Sequence, residues 1–246
     1  MFEIISIQII ILFFIIRMIM NMKKPKYKIN TNFQLSDTDN LYHTGSLTVY
    51  TGPMFSGKTS HIIKELTILA DIYKIRPIMI NHLKDNRNKK YKVSSHSSGY
   101  HGLSDSIDII KVNKLSEVDI KNVSVVGIDE AQFFPDLYET VKKWIDKGIN
   151  VYCAGLDSDF LMNKFGQINE LLHIADNFIK LHAICSQCLY EMTINSKPIS
   201  PSTLPIAPFS ARIKHNSQEQ IAIGDEKMYI PVCRKHLIEN IKDLKK

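Results

Sequence analysis

The sequence has few cysteines and no basic stripe. Only four of the 246 residues are cysteine, and three of these lie in or near the last quarter, which argues for a metal site and against a disulfide framework. The net charge is +6, but the positive charge is not gathered along one segment, so a nucleic-acid partner is not predicted. Hydrophobic residues make up 44% of the chain and charged residues 23%, as in an ordinary soluble globular protein.

The sequence also lacks an apolar run long enough for an ordinary membrane span. The N-terminal segment is strongly apolar only from Ile9 to Ile16, whereas a span needs about 20 residues. It shows neither the basic start and cleavage site of a secretory signal nor the composition of a transit peptide. We interpret residues 1–44 as a dispensable extension or a start codon set too early. A membrane anchor at residues 4–20, or a cleaved signal, is a less favoured alternative. A cytoplasmic location is therefore favoured, with anchoring or organelle targeting left open.

Beyond this extension, strands and helices alternate. Strands are predicted at Ser46–Gly52, Arg76–Leu83, Val123–Glu130, Ile149–Asp157 and Phe178–Cys185, and helices at Gly57–Lys74 and Leu137–Gly148. Fully apolar strands alternating with helices predict an α/β fold, with a parallel sheet and helices on both faces. The motif GPMFSGKT at the end of the first strand makes this sheet one of the P-loop NTPase type. The polar run from Lys84 to Asp105 predicts a long loop. Because the pattern changes after Cys185, we predict an α/β domain at 45–184 and a small module at 185–240.

One motif predicts a phosphate site. The segment GPMFSGKT fits G-x-x-x-x-G-K-[ST], after a strand and at the start of a helix. Its glycines let backbone N–H groups face a phosphate, and the helix dipole favours the same anion. Lys58 would reach the β- and γ-phosphates, and Thr59 would offer its hydroxyl to Mg²⁺. The predicted ATP- and phosphate-binding residues are Gly52, Pro53, Met54, Phe55, Ser56, Gly57, Lys58 and Thr59.

Two acids end the buried strand in VVGIDEAQFF. Asp129 stands where an acid meets Mg²⁺ or its water. Glu130 would activate water in a motor ATPase, or would take the proton of a substrate hydroxyl in a kinase. The two motifs predict nucleotide chemistry without choosing between these classes.

The remaining motif predicts a metal site. Cys185-x-x-Cys188 and Cys233-x-x-His236 supply three sulfur ligands and one nitrogen ligand, which is the composition of structural zinc. All four positions are filled, so no position remains open for catalysis. Cys153 lies inside a predicted buried strand, and we interpret it as a core residue.

From about Gly45 to His236, the sequence resembles the cytosolic-type thymidine kinases of animals, many bacteria and large DNA viruses. GPMFSGKT resembles the phosphate loop of that family, DEAQFF its acidic motif, AGLDSDF and KFG its next strand and loop, and YIPVCRKH its closing zinc pair. The resemblance implies transfer of the ATP γ-phosphate to the 5′-hydroxyl of thymidine in nucleotide salvage, giving dTMP, with deoxyuridine as another acceptor. It also implies a homotetramer.

The resemblance further implies roles for individual residues. Glu130 would be the general base, and Asp129 would serve Mg²⁺. Phe133 would stack on the thymine ring, with Met54 close to the ring methyl group. The other substrate-side residues would be Asp85, Arg87, Gln132, Phe160, Gly224 and Tyr229. The module at 185–240 would bind zinc and carry the loop that covers the substrate.

The sequence departs from the family pattern at three residues and in the loop Lys197–Gln220, which is long. Ser97 replaces an acid, Asn195 stands where a substrate-facing threonine is usual, and Asp225 replaces a second glycine. None of these changes removes a catalytic group, but they leave the range of accepted deoxynucleosides open.

Two other classes are weighed against the kinase. A nucleic-acid-coupled P-loop ATPase with a zinc module would need further motor motifs and a basic track, of which the sequence shows no convincing set. A nucleotide-binding regulator without turnover would be expected to lose Lys58 or Glu130, and both are present.

Overall fold

A six-stranded parallel sheet lies at the centre of the computed structural model, which describes residues 44–85, 106–200, 202–213 and 228–244. The strands are β1 (Leu47–Thr51), β2 (Ile78–His82), β3 (Asp108–Val112), β4 (Val125–Ile128), β5 (Asn150–Gly155) and β6 (Asn177–Lys180). Their order across the sheet is β3-β2-β4-β5-β1-β6. Every neighbouring pair is parallel, so the predicted α/β fold class is confirmed.

Helices cover both faces of this sheet. They are α1 (Lys58–Asp71) and α2 (Leu137–Asp146). Because successive side chains of a strand point to opposite faces, Met79 of β2 packs with Leu66 of α1 in one apolar cluster. Its neighbour Ile80 lies in the other cluster, together with Trp144 of α2. Short 3₁₀ segments occupy Leu115–Glu117, Ala131–Phe133 and Ile168–His173.

The structure corrects the sequence prediction at two strands. The predicted strand Phe178–Cys185 is divided into β6 and a separate short strand, β7 (Ala183–Ile184). The chain leaves the sheet there because β1, the partner of β6, ends at Thr51, whose carbonyl accepts the last bond from the Leu181 N–H. Strand β3 was not predicted; it is a half-exposed strand at one end of the sheet, where the apolar signal is weak.

The C-terminal part of the chain forms smaller elements. These are β7, α3 (Ser186–Ile194), β8 (Ile206–Ala207), β9 (Phe209–Arg212), β10 (Tyr229–Val232) and α4 (Arg234–Leu244). Strands β7 and β8 pair antiparallel, as do β9 and β10. A small buried cluster connects them, formed by Cys185, Ala207, Ala211, Val232 and Leu237. We call residues 183–244 the Cys/His unit.

Within the described ranges, no helix combines the length and the apolar character needed to cross a bilayer. The segment 4–20, for which an anchor was an alternative, lies outside the described residues, as does most of the predicted loop Lys84–Asp105.

Candidate active site and metal centre

The predicted site residues meet at the carboxyl edge of the parallel sheet. The phosphate loop follows β1, Asp85 follows β2, Asp129 and Glu130 follow β4, and Phe160 lies beyond β5. In open α/β sheets this edge is where ligands bind. The topology therefore brings together residues that are far apart in the sequence.

The phosphate loop is held by hydrogen bonds from its own side chains to its own backbone. Gly52 and Gly57 have φ values of 132° and 82°, which few other residues adopt without strain. A Cβ on Gly52 would also lie 2.3 Å from the carbonyl oxygen of Leu181. The Lys58 ammonium donates to the Pro53 carbonyl at 2.6 Å, and the Ser56 hydroxyl donates to the same oxygen at 2.8 Å. Helix α1 begins directly after the loop, so the positive end of its dipole lies beside it.

A hydroxyl and a carboxylate meet next to this loop. The Thr59 hydroxyl, in the first turn of α1, donates to Asp129 at 3.0 Å from Oδ1 and 3.2 Å from Oδ2. Asp129 is buried, and its backbone N–H donates to the Ile80 carbonyl. Oxygen atoms of this kind are the ligands that Mg²⁺ prefers. The pair therefore fits a magnesium site at the phosphate loop.

Glu130 is held by its neighbour Gln132. The backbone of Glu130 is left-handed, with φ of 50°. The side-chain amide of Gln132 donates to Glu130 Oε2 at 2.6 Å, and its oxygen accepts from the Leu156 N–H at 3.0 Å. Gly166 approaches so closely that a Cβ there would lie 2.2 Å from the Gln132 carbonyl oxygen. The buried Gln132 thus fixes the direction of the Glu130 carboxylate.

Phe133 lies in a cluster of rings. Its centroid is 5.8 Å from that of His82 and 5.7 Å from that of Phe165, which it meets edge-on. His82 Nε2 lies 3.1 Å from the Asn113 carbonyl, and Nδ1 accepts from the Lys84 N–H at 2.9 Å. A carbonyl only accepts and an N–H only donates, so these partners define a neutral imidazole protonated at Nε2. Burial lowers the pKa of His82, which favours the same form.

A second aromatic group surrounds a buried arginine. The Arg212 guanidinium lies 4.9 Å from the Phe160 ring centroid and 5.6 Å from that of Tyr229. The negative faces of aromatic rings attract a cation at such distances. The structure therefore brings the predicted residues Phe160 and Tyr229 together through Arg212. Next to them on β9, Ser210 accepts a hydrogen bond from the Met54 N–H of the phosphate loop at 2.9 Å.

The other predicted substrate residues have different outcomes. Asp85 is buried and accepts from the Asn81 amide at 3.0 Å. Arg87 and Gly224 lie outside the described residues. The side chain of Asn195 is exposed and bonds the Glu191 carbonyl of its own helix, so the structure does not bring it to the sheet edge.

Sequence reasoning missed His82, Phe165, Ser210 and Arg212. Phe165 stands in the KFG motif, so the motif marked its position without assigning it a contact. The other three lie within strands and contact site residues from distant parts of the chain. No local signal distinguishes them from ordinary strand residues.

The four predicted metal ligands form one cluster. Cys185, Cys188 and Cys233 place their sulfur atoms 3.3–3.4 Å from His236 Nδ1. The sulfurs of Cys188 and Cys233 are 3.8 Å apart, and all four ligand atoms lie within 4.8 Å of one another. A tetrahedral zinc ion with ordinary bond lengths separates such atoms by roughly 3.4–3.8 Å. The residues therefore fit zinc.

Neighbouring groups prepare this cluster for a cation. His236 Nε2 lies 3.0 Å from a carboxylate oxygen of Glu191, an outer contact that orients metal-bound histidines. Burial opposes ionisation of Cys185, yet the backbone N–H groups of Cys188 and Cys233 and the His236 side chain lower the pKa of its thiol to about 7. Burial and the neighbouring sulfurs raise the pKa of the Cys188 thiol to about 12, so Cys185 is the thiol of this pair that ionises first. The thiolate is the form that binds metal. By contrast, Cys153 is fully buried in β5, away from the cluster, and burial raises the pKa of its thiol.

Comparisons with known proteins point to one family. A family model described as thymidine kinase matches residues 45–237. A protein of fowlpox virus (strain NVSL) named thymidine kinase is 33% identical over 202 residues, which covers 80% of this chain and 99% of the viral protein. An Arabidopsis thaliana protein named thymidine kinase a is 35% identical over 200 residues, which covers 80% of this chain and 76% of the plant protein.

Proposed function

The chain belongs to the thymidine kinase family, and from this premise we propose that it transfers the γ-phosphate of ATP to the 5′-hydroxyl of thymidine. The observation that carries the proposal is the contact of Thr59 with Asp129, directly beside Glu130 and the phosphate loop. It supports the proposal because the residues proposed to bind phosphate, to bind Mg²⁺ and to accept the proton lie together at one sheet edge.

Glu130 is the proposed general base. Its carboxylate takes the proton of the 5′-hydroxyl while that oxygen bonds to the γ-phosphorus. The bond between this phosphorus and the oxygen bridging it to the β-phosphate breaks, and ADP leaves. The Gln132 amide, 2.6 Å from Glu130 Oε2, supports this role because it fixes the carboxylate in one orientation before substrate arrives.

The phosphate loop and α1 are proposed to hold the triphosphate. Lys58 is proposed to move from the Pro53 carbonyl, to which it donates, onto the phosphates. Thr59 and Asp129 would hold Mg²⁺, which neutralises charge on the phosphate oxygens when bound. The remaining loop residues would supply backbone donors.

The aromatic groups are proposed to form the thymidine pocket. Phe133 would stack on the base, and Phe160 and Tyr229 would wall it, with Arg212 fixing both rings. Met54 would lie near the ring methyl group. Asp85, Arg87, Gln132 and Gly224 stay as proposed substrate-side residues by resemblance alone.

The Cys/His cluster is proposed to hold a structural zinc ion. Its four ligands leave no open position, and they connect the start of α3 to the start of α4. The division into a P-loop domain at 45–184 and a zinc module at 185–240 is part of this proposal, as are a homotetramer and a cytoplasmic location. Light scattering of the purified protein tests the tetramer.

The decisive experiment is incubation with ATP, Mg²⁺ and labelled thymidine. The expected product is labelled dTMP, formed at one per ADP. Absence of dTMP together with ATP hydrolysis stimulated by DNA would overturn the proposal in favour of a nucleic-acid-coupled ATPase. A parallel reaction with deoxyuridine tests the breadth of the acceptor.

A further inference from the structure

Strand β9 presents its two faces to different parts of the molecule. Ala211 is buried in the apolar cluster of the Cys/His unit, and Phe209 packs against that cluster. The alternate residues, Ser210 and Arg212, contact Met54 and Phe160 instead. Side chains alternate along a strand, so β9 has one face toward the Cys/His unit and one toward the candidate active site.

The position of Ser210 is fixed by its strand. It lies opposite Pro231 in the antiparallel pair of β9 with β10, and it is buried. Cys233 directly follows β10, and His236 follows in the first turn of α4. Strand β10, which pairs with β9 and so holds Ser210 in place, therefore leads directly into two of the candidate metal ligands. Its contact with Met54 joins positions 156 residues apart.

Both polar ends of one loop peptide are held. The Pro53 carbonyl accepts from Lys58 at 2.6 Å and from Ser56 at 2.8 Å. The N–H of the same planar peptide, on Met54, donates to the Ser210 hydroxyl at 2.9 Å. Because the peptide unit is rigid, these contacts fix its rotation, and with it the path of the backbone into the anion-binding half of the loop.

We propose that Ser210 is a positioning residue that holds the Pro53–Met54 peptide and so sets the phosphate loop for ATP. The inference rests on the proposed function only where it predicts an effect of Ser210 on turnover; the effects on ATP binding and on the loop do not depend on the phosphate acceptor. Ser210 acts on the loop through its hydroxyl oxygen, which accepts the hydrogen bond of the Met54 N–H. A threonine at position 210 keeps this hydroxyl acceptor, an alanine removes it, and a cysteine offers only a weak acceptor.

The test compares Ser210→Ala with Ser210→Thr, and uses Ser202→Ala as a matched control because Ser202 is an exposed serine of the same unit. Calorimetry measures ATP affinity, and steady-state kinetics measures kcat and both KM values. Loss of one hydrogen bond to a partly buried amide predicts about tenfold weaker ATP binding in Ser210→Ala. The KM for ATP should rise more than kcat falls. Ser210→Thr and Ser202→Ala should stay within about twofold of the unmodified protein.

A second readout follows the loop directly. Hydrogen exchange of peptides covering Thr51–Lys58 should be faster in Ser210→Ala and unchanged in Ser210→Thr. Unchanged zinc content and melting temperature would show that the Cys/His unit is intact. Where Ser210→Ala does not fold, Ser210→Cys keeps an atom at the γ position but offers only a weak acceptor, so it should still weaken ATP binding.

The inference and the proposed function fail in different ways. An alanine or cysteine variant that folds and binds ATP as tightly as the unmodified protein, with unchanged exchange in the loop, would overturn the role of Ser210. Absence of dTMP formation by the unmodified protein would overturn the proposed function, while the binding and exchange measurements would still decide the inference.

Discussion

The sheet and the Cys/His unit are stabilised in different ways. The sheet buries large aliphatic and aromatic side chains on both faces, between α1 and α2. The buried cluster of the Cys/His unit consists of Cys185, Ala207, Ala211, Val232 and Leu237, of which two are alanines and one is a candidate metal ligand. A core this small supplies little hydrophobic free energy, and small units of this kind commonly depend on a metal. Polar groups at the sheet edge should therefore be replaceable without unfolding, whereas the ligands of the cluster should not.

Replacement of Glu130 should give the largest effect on activity. Glu130→Gln keeps the shape and one oxygen for the Gln132 amide but removes the base. We expect kcat to fall by about 10²- to 10⁴-fold, with ATP affinity and melting temperature unchanged. The matched control is Glu139→Gln, an exposed residue of α2. A variant at Glu130 with unreduced kcat would refute its role as base.

Replacement of Cys185 should give the largest effect on stability. Cys185→Ser removes one of the four candidate zinc ligands. We expect bound zinc to fall well below one per chain and the melting temperature to fall by about 10 °C or more. Cys153→Ala is the control, since it also removes a buried thiol but should leave the zinc content unchanged. A stable Cys185 variant with unchanged turnover would count against structural zinc.

The same contrast explains what sequence reasoning could predict. The phosphate loop, the acidic strand end and the two ligand pairs are short motifs whose chemistry depends on residues close in sequence. Buried strands such as β4 are equally visible because every residue in them is apolar and buried. The alternation of these strands with helices was sufficient to predict the fold class.

The features that were missed depend on long-range contacts or weak patterns. Ser210 reaches Met54 across 156 positions, and Arg212 reaches Phe160 across 52 (212 − 160). Neither pairing leaves a local signal. Strand β3 is half-exposed and lies at one end of the sheet, so its sequence lacks the continuous apolar run that identifies the buried strands. The division between β6 and β7 depends on where β1 ends, which is a property of the sheet and not of the segment itself.

Gly166→Ala should give an intermediate effect that separates orientation from stability. Gly166 has φ of 60° and abuts the Gln132 carbonyl, so a Cβ must displace Gln132 and with it Glu130. We expect about 1–3 kcal/mol of destabilisation from backbone strain, together with a lower kcat.

The control for Gly166 is Gly148→Ala. Gly148 has φ of 84° and follows α2, so alanine there imposes similar strain at a helix end. It should lower the melting temperature and leave kcat unchanged. If both variants show the same kcat, the contact of Gly166 with Gln132 does not orient the base.

The smallest effect is expected at Asp136, which belongs to the sheet domain. It connects the segment before α2 to the segment between β3 and β4. Its carboxylate accepts from the Leu115 N–H at 3.1 Å and from the Ser116 N–H at 2.9 Å. Burial acts to raise its pKa, but these backbone donors outweigh burial, so the pKa of Asp136 is lowered. The carboxylate therefore adds stability above its unfolded pKa, and this is lost as the pH falls through the lower folded pKa.

Asp136→Asn keeps one acceptor oxygen and loses the other, so we expect a loss of about 1 kcal/mol in urea unfolding at pH 7. The difference in unfolding free energy between the variant and the unmodified protein should narrow as the pH falls below about 4, because the Asp136 carboxylate then gains a proton and becomes neutral, like asparagine. Asp119→Asn is the control, since its exposed carboxylate accepts, among the described residues, one hydrogen bond, from the nearby Lys121 N–H at 3.0 Å. An equal loss for Asp136→Asn at pH 7 and pH 3 would show that the carboxylate charge contributes nothing. The contact would then act through its hydrogen bonds to the Leu115 and Ser116 N–H groups without a contribution from charge.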